Sequence, residues 1–324
     1  MRLNKVNLCW VLSEGRKGHE IQSMTLAQRL ADNCSLHTFS LRQPWESFAP
    51  RIIPGFHHGF NWQSEKPNFN QPPDIIISTG RKAAAMGKYI TQRYRKQATQ
   101  LKHIQILNPK DKADNYAVVL IPEHDQKNGP NIITFTGSLH PYSPHWFSQA
   151  KLSASNQNSP IAIFIGNPPI QYFKNNLKTE LQKIRSLYPE QSLELCGSPR
   201  MSEKTIGKIK AVLTPNDTFW FIHDDGPNPY QRLLQQAKHL YVTADSINMM
   251  NECAGSTVPV TLLAKNCIQN PKHRRFMKSL AHRWQNFTAQ ADKSMMPIPY
   301  TVDQVINNTR FQKLLKLPSS SKAG

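Results

Sequence analysis

The sequence is poor in cysteine, and its five cysteines lie far apart with no Cys-x-x-Cys pair. That number and spacing exclude a disulfide framework, and they exclude a cysteine-based zinc site. The chain also lacks an apolar run of about 18 residues, the length that would predict a transmembrane helix. We therefore expect reduced thiols in a cytoplasmic protein whose contact with a membrane, if any, is peripheral.

Acidic residues are scarce as well, with 21 Asp and Glu against 40 Lys and Arg, a formal net charge of +19. Such a balance favours an anionic membrane surface, an acidic glycan or another polyanion as partner. The basic residues are spread along the chain without zinc-finger spacing or an aromatic RNA-binding block. No specific nucleic acid partner is expected, and polyanion binding on charge alone stays a weaker alternative.

Strands and helices alternate in both halves of the sequence, which predicts an α/β fold with two doubly wound parallel sheets. A segment rich in Ser, Asn, Gln and Pro at about 138–160 is the best linker candidate. We predict a first domain over 1–150, a second over 151–290, and a C-terminal helix and tail over 291–324 that packs back on the first domain. Two such domains are expected to face a central cleft. The polar loop 44–73 is predicted to lack regular structure.

The most informative segment is His239–Leu263, which predicts a short strand, a polar turn, a helix, a glycine stop and a second strand. Thr243, Asp245 and Ser246 fall where the first strand ends and the helix begins. Helix amides at such a position bind anions. Glu252 follows Asp245 by seven residues, near two helical turns, so the two carboxylates share roughly one face. A helix N-terminus that binds phosphate, followed by a carboxylate that binds ribose hydroxyls, suits a nucleotide. The alternative is an ordinary βαβ unit with a polar N-cap, and the segment favours neither interpretation over the other.

Other loops of the second half also follow predicted strands. Ser198 and Arg200 come after one strand, and Asn228 and Tyr230 come after the next. Arginine is the natural partner of a diphosphate, because its guanidinium donates two parallel hydrogen bonds.

In the first half, the loop Ser13–Glu20 carries Gly15, Arg16, Gly18 and His19 at the entrance to a helix. The glycines allow a ligand to approach the backbone, and His19 is a candidate general base or a simple turn histidine. Gly80 and Arg81 follow another strand and would hold an anionic acceptor or form a solvated loop. Glu123, His124 and Asp125 follow a further strand, but three adjacent residues do not point one way, so no metal site is predicted there.

These motifs together resemble the mitochondrial-fission Elm-type family. The segments that carry the resemblance are SEGRKGHEIQS, PDIIISTGRKAA, PEHD, the turn at Gly166, GSPR, GPNPY and VTADSINMMNE, in this order between about 6 and 263. The loop with Gly15, Gly18 and His19 also resembles the glycine-rich loop of the glucosaminyl transferase of peptidoglycan synthesis. The sequence departs from the family pattern after Gly166, where Asn167-Pro168-Pro169 follow, and at Arg200, which stands alone after Pro199.

The resemblance implies a GT-B-like architecture of two Rossmann-like domains and a metal-independent glycosyltransferase activity without a cofactor. A nucleoside-diphosphate sugar would be the co-substrate, and a glycan or lipid-linked molecule at the cytoplasmic membrane face would be the acceptor. Plant members are known as adaptors, so a non-catalytic adaptor or membrane-recruitment protein is the alternative. The implied acceptor residues are Gly15, Arg16, Gly18, Gly80, Arg81 and His124, with His19 as the catalytic base. The implied donor residues are Gly166, Ser198, Arg200, Asn228, Tyr230, Thr243, Asp245, Ser246, Met249 and Glu252.

Overall fold

The computed structural model describes residues 5–95, 101–151, 159–222, 226–287 and 297–315. The chain divides into two compact units, Met1–Pro141 with Thr301–Gly324, and Tyr142–Tyr300. This division comes before residue 150, where composition places the boundary. The reason is that Trp146 and Phe147, within the polar linker candidate, pack against the core of the second unit.

The first unit contains a seven-stranded sheet in the order β3-β2-β1-β4-β5-β6-β7. All neighbouring strands are parallel except the β2–β3 pair. The order reverses between β1 and β4, and a crevice for ligands opens at such a switch point. The elements are β1 (Val6–Ser13), α1 (Lys17–Leu30), β2 (Ala31–Leu41), α2 (Trp45–Phe48), β3 (Phe60–Trp62), β4 (Ile75–Thr79), α3 (Arg81–Tyr94), β5 (Lys102–Ile106), β6 (Val118–Pro122) and β7 (Ile132–Phe135).

The prediction that 44–73 lacks regular structure is wrong. Within it lie the helix α2, a 3-10 turn at Phe56–His58 and the edge strand β3. Phe56 is buried, and Phe60 and Trp62 pack against the same apolar cluster on one side of the sheet. Aromatic burial therefore orders a segment whose overall composition is polar.

The second unit contains a five-stranded parallel sheet in the order β10-β9-β8-β11-β12, which reverses between β8 and β11. Its central strand is buried on both faces: Ile161, Ile163 and Ile165 enter one apolar cluster, while Ala162 and Phe164 enter another. Such two-sided burial is typical of parallel sheets. The elements are α4 (Pro144–Lys151), β8 (Ile161–Ile165), α5 (Ile170–Asn175), α6 (Leu177–Leu187), β9 (Leu193–Gly197), α7 (Glu203–Lys210), β10 (Thr218–Trp220), α8 (Tyr230–Gln236), β11 (His239–Thr243), α9 (Ile247–Ala254), β12 (Val260–Leu263) and α10 (Pro271–Ser279).

Two short helices at the C-terminal end, α11 (Thr301–Ile306) and α12 (Thr309–Leu315), pack on the first unit. Arg29 pairs with Asp303 at 2.8 Å, and the Thr301 hydroxyl donates to the Thr136 carbonyl. The sequence predicts one last helix near 302–317. Asn308 interrupts it by accepting the first amides of α12, and residues 316 and 317 lie outside the described residues.

No helix within the described ranges combines the length and the apolar character that a bilayer span requires. All five cysteines are free thiols, of which Cys9, Cys196 and Cys253 are buried.

Candidate functional site

The loops after β1 and β4 leave the first sheet at its switch point. Because β1 and β4 are adjacent and parallel, their carboxyl ends bring Gly15, Gly18, His19 and Gly80 to one edge. His19 lies in the first turn of α1. Its ring packs on Gly80, where an added Cβ would come within 3.1 Å of Cε1 of His19. Gly80 also has φ +85°, which favours glycine.

The His19 ring is half-buried, and its Nδ1 is buried without a hydrogen-bond partner. Burial, and next the positive charge of Arg16, lower the pKa of His19 below its ordinary value of 6.5, against weaker opposing effects of Glu14 and the nearby Thr79 carbonyl. The imidazole is therefore neutral at pH 7, the form that accepts a proton.

The two arginines predicted to bind an acceptor make contacts of their own. Arg16 pairs through Nε with Glu14 at 3.2 Å. The same carboxylate reaches Nζ of Lys82 at 3.1 Å, and Lys82 reaches Glu46 at 2.6 Å. Arg81 donates from Nη1 to the carbonyls of residues 47 and 49, at 3.3 and 2.8 Å. Both arginine side chains stay exposed and present charge to solvent, and Arg81 also joins the loop after β4 to residues 47 and 49.

His124 lies apart from these residues. It occupies a 3-10 turn, Glu123–Asp125, at the end of β6. The strand β5 separates β6 from β4. Nε2 of His124 is 3.8 Å from Asp125. Among the described residues, no group of three or more His, Cys, Asp or Glu side chains is arranged to hold a metal ion.

The second sheet has a matching arrangement at its own switch point, where β8 and β11 end side by side. The Gly166 amide donates to the buried Thr243 hydroxyl at 2.8 Å, and the Asn167 amide donates to Asp245 Oδ2 at 2.6 Å. These two bonds fix the turn after β8 against the start of α9. They also occupy the Gly166 and Asn167 amides, which are therefore not free to hold a phosphate.

Asp245 Oδ1 is buried and has no hydrogen-bond partner. A buried acceptor without a donor is costly, and a ligand hydroxyl would satisfy it. A carboxylate repels phosphate, so this oxygen suits a sugar hydroxyl better than a diphosphate. The backbone carbonyl of Asp245 is held by His273 Nε2 at 2.8 Å.

The helix α9 begins where the sequence predicts. Ser246 has extended backbone angles, and its hydroxyl accepts the Met249 amide at 3.5 Å. This cap satisfies one of the free amides of the first turn, and the others retain the partial positive charge of a helix N-terminus. Met249 itself is half-buried against the apolar cluster beneath the helix.

Ser198, Arg200 and Asn228 follow β9 and β10, the strands beyond β8. The Arg200 amide donates to the buried Ser198 hydroxyl at 3.3 Å, so Ser198 shapes the turn. The Arg200 side chain is exposed. Asn228 accepts the Tyr230 amide at 2.9 Å and thereby positions the start of α8.

Glu252 is buried at 8% exposure and accepts a short hydrogen bond from the Tyr230 hydroxyl. Burial raises the pKa of Glu252 to about 7, although the bond from Tyr230 acts in the opposite direction. Asp245 and Glu252 share no partner among the described residues. The sequence spacing predicts that the two carboxylates share one face of α9. In the structure, Asp245 instead contacts the turn after β8, and Glu252 contacts α8.

Comparison with known proteins identifies the family. A sequence profile described as mitochondrial fission ELM1 matches residues 17–305. The chain belongs to this family. One relative, an uncharacterized protein of Rickettsia prowazekii, is 23% identical over 323 residues, covering 85% of this chain and 88% of the relative. The match to the ELM1 family confirms the predicted family.

Two solved structures establish the fold. A protein of Listeria monocytogenes assigned as a UDP-N-acetylglucosamine 2-epimerase aligns over 97% of this chain and 91% of its own, with TM-score 0.51 and 12% identity. MurG of Acinetobacter baumannii aligns over 96% and 98%, with TM-score 0.50 and 10% identity. The protein therefore has the GT-B-like fold with two Rossmann-like units, as predicted.

Sequence reasoning missed the residues that hold these loops in place. Glu14 joins Arg16 and Lys82. Arg283 is fully buried and donates to the carbonyls of residues 254, 256 and 258, between α9 and β12. Their contacts come from distant parts of the chain or from buried charge, and neither leaves a periodic signal in the sequence.

We expect Gly166→Ala to destabilise the second unit. An added Cβ would stand 2.5 Å from Asp245 Oδ2, so the carboxylate would have to move and would lose the Asn167 amide. Overpacking of this kind costs about 1–3 kcal/mol. Urea unfolding followed by circular dichroism measures the change.

Gly207→Ala in α7 is the matched control, because a Cβ there meets nothing within 4 Å. It should leave stability unchanged or raise it by about 0.5–1 kcal/mol. Equal stability of the two variants would show that a glycine at position 166 is not required for the close approach of the Asp245 carboxylate.

Proposed function

We propose that this protein is a metal-independent glycosyltransferase that moves a sugar from a nucleoside diphosphate to a glycan or lipid-linked acceptor at the cytoplasmic membrane face. The observation that carries the proposal is the switch point of the second sheet. There the unsatisfied Asp245 oxygen and a helix N-terminus follow β11, and the exposed Arg200 follows β9, the strand on the other side of β8.

Each group suits a different part of the donor. Arg200 and the first-turn amides of α9 bind the diphosphate and stabilise the charge that develops as it leaves. Asp245 accepts a hydroxyl of the sugar through Oδ1. Glu252 binds ribose hydroxyls in its ionised form. Thr243 and Ser198 act indirectly, because their hydroxyls position the turns after β8 and β9.

The first unit supplies the acceptor side. His19 is neutral at pH 7 and takes the proton of the acceptor hydroxyl as the new glycosidic bond forms. Gly15, Gly18 and Gly80 allow the acceptor to approach the backbone, and the exposed guanidinium groups of Arg16 and Arg81 attract its anionic groups. His124 makes a peripheral contact with the acceptor. The net charge of +19 supports peripheral attachment to an anionic membrane surface.

A thermal-shift panel of nucleoside diphosphates and their sugars tests the donor site. A nucleotide present at about 100 times its Kd stabilises the folded protein by about 2.7 kcal/mol, which raises Tm. Arg200→Ala should weaken its binding by about 1.5–3 kcal/mol, the range for a hydrogen bond to a charged group. Arg95→Ala is the matched control, since Arg95 is an exposed arginine of the first unit. If no nucleotide raises Tm, the proposal fails.

A second function is favoured by the family description, mitochondrial fission ELM1. In that case the protein is a non-catalytic adaptor or membrane-recruitment protein on the same fold. It would bind anionic vesicles without responding to any nucleotide, and His19→Ala would not affect that binding.

A further inference from the structure

A large basic cavity lies in the first unit, outside the residues assigned to donor and acceptor above. Its volume is 750 Å³, within the range of about 300–1,000 Å³ typical of ligand sites. Its lining includes the basic residues Arg51, Lys110, Lys112 and Lys127 and the apolar residues Ala113, Val119, Ile121 and Ile132.

The cavity exists because two connections of the sheet are unusually short. Parallel strands are normally joined by a crossover helix that covers the sheet. Here the β5–β6 and β6–β7 connections contain only the 3-10 turns Ala113–Asn115 and Glu123–Asp125. Val119 and Ile121 of β6 pack in a small apolar cluster with Ala84 of α3 and Tyr116, and the cavity lies beside this cluster.

The four cations around this opening are available to a ligand. All four side chains are exposed, and none forms an ion pair with a carboxylate of the described residues. The single acidic lining residue, Asp111, is already neutralised: Lys88 Nζ reaches it at 2.5 Å, and Asn115 and Tyr116 also donate to it. Burial acts to raise the pKa of Asp111, but the bonds from Lys88 and Asn115 outweigh it and lower that pKa. The lining of the cavity therefore carries a net positive charge.

The backbone that presents these cations is strained. Leu107, Lys110 and Gln126 adopt the left-handed region with φ of 65°, 61° and 52°, which is unfavourable for residues other than glycine. The strained turns flank or carry Lys110 and Lys127. Strain of this kind is concentrated at ligand sites. The Leu107 amide donates to the Leu120 carbonyl at 2.8 Å, and this bond fixes the loop.

We infer that this cavity is a second anion site, which binds the phosphate groups of a ligand among Arg51, Lys110, Lys112 and Lys127. Lysine and arginine supply the charge for phosphate, and the one acidic lining residue, Asp111, is paired with Lys88. The ligand is either a soluble diphosphate compound or a phospholipid headgroup. The inference does not depend on glycosyl transfer.

The test uses the full-length chain with inorganic pyrophosphate as probe, followed by hydrogen–deuterium exchange of peptides covering 107–115 and 125–131. Pyrophosphate should slow exchange in these peptides. In K110Q/K112Q/K127Q the concentration that gives half-maximal protection should rise at least about tenfold, because several charged contacts are lost. The matched control is K178Q/K278Q/K313Q, which removes three exposed lysines elsewhere and should change it less than about twofold.

A vesicle arm separates the two sources of phosphate. Sedimentation with phosphatidylcholine vesicles, with and without phosphatidylglycerol, is compared for the same variants. If pyrophosphate protects the peptides, the ligand is soluble; if only the anionic vesicles bind and only K110Q/K112Q/K127Q releases them, the ligand is a headgroup. Both results support a phosphate site. Absence of both effects, or an equal loss in the control variant, overturns it. A failure of nucleotide binding would instead appear in peptides covering 243–252, so the two proposals fail separately.

Discussion

His19→Ala should lower turnover by about 10²- to 10⁴-fold, the usual contribution of a general base. The ring lies at the switch point of the first sheet against Gly80, and its lowered pKa keeps it neutral at pH 7. Nucleotide affinity and Tm should hardly change, because the donor residues belong to the second unit. Steady-state kinetics with the native acceptor measures the loss.

The pH profile distinguishes a base from a positioning residue. Since burial and Arg16 lower the pKa of His19, turnover should rise with pH, inflect below 6.5 and then stay constant. Arg16→Gln should move that inflection to higher pH, and His19→Ala should abolish it. His57→Ala serves as the control, because His57 is an exposed histidine of the same unit. Undiminished turnover in His19→Ala would make His19 a structural loop residue, and loss of nucleotide binding would place the donor elsewhere.

The sequence predicted most accurately those helices and strands whose local residue pattern agrees with their burial in the fold. The unit from β11 through α9 to β12 follows from two apolar runs, a serine cap and a glycine after the helix, and the structure confirms each of these elements. The same holds for β8, since Ile161–Ile165 is apolar at every position. The strands β8 and β11 lie in the interior of a parallel sheet, where every side chain is buried and the apolar pattern is continuous.

The strand β2 had no comparable signal. Ala31–Leu41 contains Asp32, Asn33 and several other polar residues, and only part of it is buried. It pairs in parallel with β1 from Val6 to Ser13, so backbone hydrogen bonds to a neighbouring strand stabilise it more than its own side chains do. Pairing between strands 25 residues apart (Val6 with Ala31) is a tertiary property that local propensity does not encode.

Site residues could be placed at strand ends, but their partners could not be predicted. The fold brings Gly166 to Asp245 across 79 positions and Tyr230 to Glu252 across 22. Those contacts depend on strand order, which the sequence alone did not determine. They also change the chemistry expected of each residue: Asp245 keeps an unsatisfied oxygen, and Glu252 shares its carboxylate with a tyrosine.

We expect Glu252 to make the free energy of unfolding strongly dependent on pH. Its pKa of about 7 in the folded protein, against an ordinary value of 4.5, means that folding retains a proton that the unfolded chain releases. The free energy of unfolding should therefore fall by about 3 kcal/mol as pH rises from about 4.5 to 7, and then level off, since one pKa unit corresponds to about 1.4 kcal/mol. Glu252→Gln removes this dependence. The variant should match wild type near pH 4.5 and be more stable by about 2–3 kcal/mol at pH 8.

Urea unfolding at the two pH values measures the difference, with Glu190→Gln, an exposed glutamate of the same unit, as the control that should show none. A wild-type to variant difference that is equal at both pH values would contradict the raised pKa.

The same variant separates stability from function. Because the ribose role requires an ionised carboxylate, nucleotide affinity in wild type should increase from pH 5 to 8. Glu252→Gln should lose that increase and bind more weakly by about 1–3 kcal/mol at pH 8. Higher stability with unchanged nucleotide affinity would show that Glu252 is a buried structural acid and that ribose is held by other residues.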